Sequence, residues 1–389
     1  MTSTAAARRA YRGPALLSYG FRPFFLFGSI WSALVVPLWL YSYFHGGAAA
    51  LTLEWHIHEM IFGFLGAVIA GFLTTAVPNW TGRMPVIGAP LGLLVSLWAL
   101  GRLAMLYQAA LGPVAAFVDS AFLLVFAAVI WREILAGRNW RNLPVCILVS
   151  LFGLANVAFH LPLAQAGDFG VRLALGVAAV MIGLIGGRIV PSFTRNWMKS
   201  RALAPEPARF GVIDQAVLGL TVIGAALWVI VPQTPVTGAA LALAGVGHLV
   251  RLARWRGWRA AAEPLVWILH CGYAWLGAGL LMLGGAALDP SLVPRSAGVH
   301  AVTAGAVGVM TLAVMTRATR GHTGRHLEAG LVTTAIYLAI NAAALLRVAA
   351  PFTGELQPLL LTASGLAWSV AFGGFALAYG RMLVLPRPA

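Results

Sequence analysis

The stretch His58-Glu59-Met60-Ile61-Phe62-Gly63-Phe64-Leu65-Gly66-Ala67-Val68-Ile69-Ala70-Gly71-Phe72-Leu73-Thr74-Thr75-Ala76-Val77-Pro78-Asn79-Trp80-Thr81-Gly82-Arg83 decides the fold. Between Glu59 and Arg83 it carries no charge, and its apolar residues do not alternate with polar ones. It is long enough to cross the hydrocarbon core of a bilayer, which takes about 20 helical residues. Backbone groups in lipid must satisfy one another, so a run without alternation is a helix. Outward from this stretch the chain repeats the pattern. Twelve such runs lie near 22–44, 56–79, 86–107, 113–135, 142–165, 170–193, 211–231, 235–253, 265–288, 297–317, 328–350 and 357–384.

Composition agrees. Of 389 residues 60% are hydrophobic and only 10% are charged, and mean hydropathy is +0.86. That excludes a soluble domain. The expectation is an all-α polytopic membrane protein of twelve transmembrane helices. It forms one membrane domain over residues 1–389, with a short cytoplasmic tail over residues 1–20.

The formal charge of +15 would raise nucleic acid as a partner in a soluble chain. Here the basic residues cluster in every second connection. Arg8, Arg9 and Arg12 precede the first run, and Arg83 follows the second. Arg132, Arg138 and Arg141 follow the fourth, and Arg195, Lys199, Arg201 and Arg209 follow the sixth. Arg251, Arg254, Arg256 and Arg259 follow the eighth, Arg317, Arg320 and Arg325 the tenth, and Arg381 and Arg387 close the chain. By the positive-inside rule both termini are cytoplasmic, the partner is the lipid bilayer, and nucleic acid is excluded. Cys146 and Cys271 stand inside runs at a spacing that suits neither a disulfide framework nor a metal pair. No P-loop, dinucleotide fingerprint, zinc-protease motif or nucleophile elbow is present.

One internal match bears on chemistry. Residues 58–83 slide onto 300–325 without a gap, pairing His58 with His300, Gly63 with Gly305, Gly66 with Gly308, Thr74 with Thr316, Ala76 with Ala318, and Thr81-Gly82-Arg83 with Thr323-Gly324-Arg325. Val190-Pro191-Ser192-Phe193-Thr194 in the sixth run echoes Val77-Pro78-Asn79-Trp80-Thr81. Matches in the second, sixth and tenth runs suggest three pseudo-repeats of four helices. An ionisable residue inside a membrane helix is a functional candidate, and a neutral imidazole is a common metal and haem ligand.

His58 and His300 are therefore the leading pair, as axial ligands of one haem. Glu59 is placed to orient an imidazole through its second nitrogen. In regular helix His56 and His58 diverge by roughly 200° and serve different partners. Asn156 and His160, four apart, share one face and line a polar pocket or bind copper. His270 sits among Trp267, Tyr273 and Trp275. His56, His160 and His270 are candidates for a second haem or a copper ion. Arg188 and Arg317 are candidate charge partners for a bound group, or snorkel. Asp119 and Asp214 are intramembrane acids that relay protons or pair with arginine.

Several motifs resemble the NnrS family of bacterial inner-membrane proteins. They are Gly20-Phe21-Arg22-Pro23-Phe24-Phe25, Trp55-His56-Ile57-His58-Glu59-Met60 and Ala70 through Arg83. Gly187-Arg188-Ile189-Val190-Pro191, Ile268-Leu269-His270, Met315-Thr316-Arg317 and Gly321-His322-Thr323-Gly324-Arg325 complete the set. The resemblance implies twelve membrane helices, a b-type haem and copper, and a link to nitric oxide response in denitrifying and nitrosatively stressed bacteria. It implies no settled reaction and no known electron donor. The arrangement also resembles haem–copper oxidases, where histidines of helices two and ten hold a haem. Those enzymes carry further histidines in helices six and seven, and the corresponding runs here have none. The reading is a haem- and copper-binding membrane protein that meets nitric oxide. If it is an enzyme, it is a haem-dependent oxidoreductase without the binuclear centre. The alternatives are a transporter and a non-catalytic haem- or metal-handling protein.

Overall fold

A computed structural model describes residues 11–46 and 50–387, so Arg8 and Arg9 of the expected tail lie outside the described residues. Among the described residues twelve helices are long and apolar enough to cross a membrane. They are α1 (Phe21–His45), α2 (Leu53–Thr81), α3 (Ala89–Leu106), α4 (Pro113–Ala136), α5 (Trp140–His160) and α6 (Ala166–Ser200). The others are α7 (Val212–Ile230), α8 (Pro235–Arg254), α9 (Pro264–Leu288), α10 (Arg295–His322), α11 (Leu331–Phe352) and α12 (Gly354–Val384). The described residues contain no strand. Large apolar side chains stand outward on these helices, with Leu331 90%, Leu377 87% and Phe117 77% exposed. Such faces need lipid as their solvent.

Several helix ends differ from the sequence reading. α5 stops at His160 because Pro162 follows, and Leu161 takes the extended conformation that a residue before proline prefers. α6 runs on to Ser200 and α10 to His322, so Arg195, Lys199, Arg317, Arg320 and His322 belong to helix ends rather than loops. Arg251 and Arg254 likewise lie in the last turn of α8. Cations there complement the negative end of the helix dipole.

The repeated Thr-Gly-Arg is a helix stop. Gly82 and Gly324 take positive φ, +70° and +76°, a conformation that favours glycine. Gly82 N–H returns to the Pro78 carbonyl at 2.9 Å and Arg325 N–H to that of Arg320 at 2.9 Å. Thr81 and Thr323 donate their hydroxyls to carbonyls one turn back.

π-helical segments interrupt three of the twelve helices: Glu59–Leu65 in α2, Ile182–Gly186 in α6 and Ala301–Val307 in α10. Such bulges free a carbonyl from the ladder and occur often at functional sites. His58 and His300 immediately precede the segments in α2 and α10.

The chain divides into two compact units. Of the described residues, the first holds those within 1–174, 318–326 and 372–389, and the second those within 175–317 and 327–371. In the first unit α1 through α5 pack around a core that includes Phe24, Phe62, Leu73, Phe122 and Phe152, each no more than 1% exposed. In the second, α9 packs against α8 and α10, with Leu265, Ile268, Leu269, Tyr273 and Leu276 fully buried.

Candidate metal centre

His58 is fully buried in the first unit. Its Nδ1 lies 3.0 Å from Glu59 Oε1, and its Nε2 lies 2.9 Å from Asp119 Oδ2 and 3.1 Å from Asn156 Oδ1. Asp119 Oδ2 also accepts from Asn156 Nδ2 at 2.8 Å and His160 Nε2 at 3.0 Å. Four helices therefore meet at one point: α2 brings His58 and Glu59, α3 Arg102, α4 Asp119, and α5 Asn156 and His160. The spacing of Asn156 and His160 puts both on one face of α5. Phe62 and Phe159 pack against the His58 ring, with centroids at 5.2 and 5.1 Å.

Arg102 closes the network. Its Nη1 donates to both Glu59 oxygens at 2.8 Å, and its Nη2 donates to Asp119 Oδ1. Trp31 Nε1 adds a bond to Glu59 Oε2 at 2.7 Å, and Trp98 Nε1 takes the Gly63 carbonyl of the π-helical segment at 2.9 Å. Glu59 and Asp119 are both fully buried. Two carboxylates thus face one guanidinium, which leaves one negative charge where uncompensated charge is costly.

The partners of His58 decide how that charge is met. A neutral imidazole has one donor and one acceptor nitrogen. Both nitrogens of His58 face carboxylates, which only accept when ionised. The ring is satisfied either by carrying both protons or by holding a cation at Nε2 in place of one. The second case has Glu59 on Nδ1, where an acid fixes the tautomer and raises ligand basicity.

A small ion fits. One nitrogen or oxygen from each of His58, Asp119 and His160 lies within 4.8 Å of the others. Ligand atoms of a tetrahedral ion bound at about 2.1 Å stand roughly 3.4 Å apart, so the observed 2.9 and 3.0 Å need to open by only roughly half an ångström. A porphyrin at His58 Nε2 does not fit this arrangement, since it would displace both Asp119 and Asn156.

The second unit contains another buried cluster, built on α8. Arg251, fully buried, donates from Nε to Asp214 Oδ1 at 2.9 Å, from Nη1 to the Gly183 carbonyl at 3.2 Å, and to the Tyr273 hydroxyl. Arg254 Nη1 reaches Asp214 Oδ2 at 3.1 Å. His248 lies 2.8 Å from the Tyr273 hydroxyl through Nδ1 and 2.9 Å from the Thr221 hydroxyl through Nε2. Thr221 spends its one proton on the Val217 carbonyl at 2.7 Å, so it accepts from His248 Nε2. His248 is then a neutral ring with one donor and one acceptor, both satisfied.

The other residues singled out from sequence stand apart from these clusters. His56 stacks on Trp39 with centroids 4.1 Å apart. His270 Nε2 meets the Thr194 hydroxyl at 2.8 Å in the second unit. His300, also in the second unit, donates from Nδ1 to the Ser296 carbonyl at 2.7 Å. That bond fixes the tautomer that keeps the lone pair on Nε2. Arg188 is exposed, and Arg317 lies over the Phe193 ring at 3.9 Å. Arg102 was not singled out, although a lone arginine in Leu97-Trp98-Ala99-Leu100-Gly101-Arg102-Leu103 signals a buried partner.

No curated protein matches the chain. A family does: over residues 15–387, nearly its whole length, the chain matches the family described as NnrS protein, and it belongs to that family.

Proposed function

We propose that this chain is a metal-binding protein of the bacterial inner membrane that acts in nitric oxide response, and that His58, Asp119 and His160 hold its metal. The observation that carries the reading is the convergence of three ligand atoms within 4.8 Å, inside membrane helices, where two carboxylates share one arginine. Two imidazoles and one carboxylate suit copper, zinc or ferrous iron. Family resemblance favours copper. When bound, the ion supplies a site for a small ligand or for one-electron chemistry. Glu59 orients His58, Arg102 holds both carboxylates in place, and Phe62 and Phe159 keep the His58 ring dry.

A haem held by His300 is the second reading. It is supported by the tautomer that the Ser296 carbonyl sets on His300 and by the seven-residue π-helical segment that follows it at once. Metal analysis and visible spectra of the purified protein test both readings, on wild type, His58→Ala, His160→Ala and His300→Ala. The metal-centre reading expects the first two variants to lose the ion and His300→Ala to keep it. A reduced haem band lost in His300→Ala, with metal and spectra of His58→Ala and His160→Ala normal, sinks the first reading and establishes the second. Consumption of nitric oxide with an artificial electron donor then separates an enzyme from a binder.

A further inference from the structure

A cavity of about 440 Å³ lies beside the triad, lined by residues that include Met105, Gln108, Ala115, Ala116, His160 and Pro162. Its walls keep register with the buried network. Met105 stands three residues beyond Arg102, Ala115 and Ala116 four and three before Asp119, and His160 four after Asn156. Residues three or four apart share a helix face, so each wall residue lies about one turn from its network residue. The shift is towards the same end of the unit on all three helices, the end that carries the connections 107–112 and 161–165. On α5 exposure rises along the same line. Asn156 is fully buried, and the His160 side chain is 13% exposed with Nε2 still on Asp119.

We infer that this cavity is the way by which a metal ion reaches the site, with His160 as the ligand that meets it first. The inference rests on the reading of the triad as a metal centre. Met105, Gln108 and His160 offer a thioether, an amide and an imidazole, a set that selects a soft or borderline cation such as copper over a hard one. By the charge of the connections this end faces outward, away from the cytoplasm.

The test uses the full chain with Cys146→Ala and Cys271→Ala, purified and stripped of metal. Ala116→Cys is labelled after folding with a bulky maleimide, and copper is supplied from a chelator buffer. The expected result is copper uptake slowed several-fold by the label, with final occupancy unchanged. Phe117→Cys, next in sequence but facing outward, is labelled as a control and takes up copper at the parent rate. Equal rates with and without the label at position 116, or equal slowing at 116 and 117, overturn the route. If the unlabelled parent binds no copper, the metal centre itself fails, and the route with it. Met105→Leu slows copper more than zinc; equal slowing overturns the preference for a soft cation. In intact cells a membrane-impermeant maleimide labels Gln108→Cys from outside, and protection there overturns the sidedness.

Discussion

The two units each bury an arginine, a histidine and an acid between membrane helices, and the two clusters are balanced oppositely. In the first, Glu59 and Asp119 face Arg102 alone, and His58 has carboxylates on both ring nitrogens. In the second, Asp214 faces Arg251 and Arg254, and His248 has hydroxyls on both. Arg251 Nη2 even lacks a hydrogen-bond partner among the described residues. Each cluster also takes up a carbonyl of a π-helical segment, Gly63 through Trp98 and Gly183 through Arg251. The ingredients are alike, but a surplus of acid with carboxylates on both nitrogens of an imidazole suits a cation. A surplus of guanidinium around a satisfied imidazole holds helices together.

The largest expected effects come from removing the acid at the centre of each. Asp119→Asn takes away the carboxylate proposed as a metal ligand, on which His58, Asn156 and His160 converge. Metal content falls to background, while Arg102 keeps both oxygens of Glu59. Asp214→Asn leaves Arg251 buried with no carboxylate, which costs about 3–5 kcal/mol. It shows as a lowered thermal unfolding midpoint in detergent, with metal content unchanged. If Asp214→Asn empties the metal site, or Asp119→Asn keeps its metal, the contrast between the clusters is wrong.

Much of this was legible in the sequence, and the limits have physical causes. The twelve helices follow from apolar runs that only lipid can accommodate. Adjacent His58 and Glu59 are a readable pair, and Asn156 and His160 read as one face of α5. What that face meets is not readable, because Asp119, Arg102 and His58 come from three other helices with no local signal that joins them. Arg251 reads as a connection residue because it stands near the end of its run, yet α8 reaches Arg254 and Arg251 is fully buried. The π-helical segments have no distinctive composition. The Thr-Gly-Arg that drew attention to His58 and His300 stops each helix at a left-handed glycine. It therefore explains where each helix ends without specifying what either histidine binds.

Glu59→Gln gives the next effect and sharpens the metal side of the comparison. The amide keeps the shape but loses the charge that orients His58 through Nδ1, and such losses lower metal affinity by about 10–100-fold. Copper titration against a chelator of known affinity measures it. Unchanged affinity would mean that Glu59 serves only to neutralise Arg102.

Tyr273→Phe is the mildest change and probes the other cluster. The hydroxyl accepts from Arg251 and donates to His248 Nδ1, so its loss leaves one donor and one acceptor unpaired in a fully buried site. The cost is about 1–3 kcal/mol, read as a small fall in unfolding midpoint. In the wild type one His248 nitrogen gives its proton to Thr221 and the other takes one from Tyr273. Tyr273→Phe frees the Nδ1 lone pair, yet metal content should not move, because among the described residues His248 bonds hydroxyls and no carboxylate that would bring a cation to it. If Tyr273→Phe acquires a copper ion, then a free imidazole is enough to recruit metal between these helices, and the surplus acid around His58 is not what sets the first cluster apart.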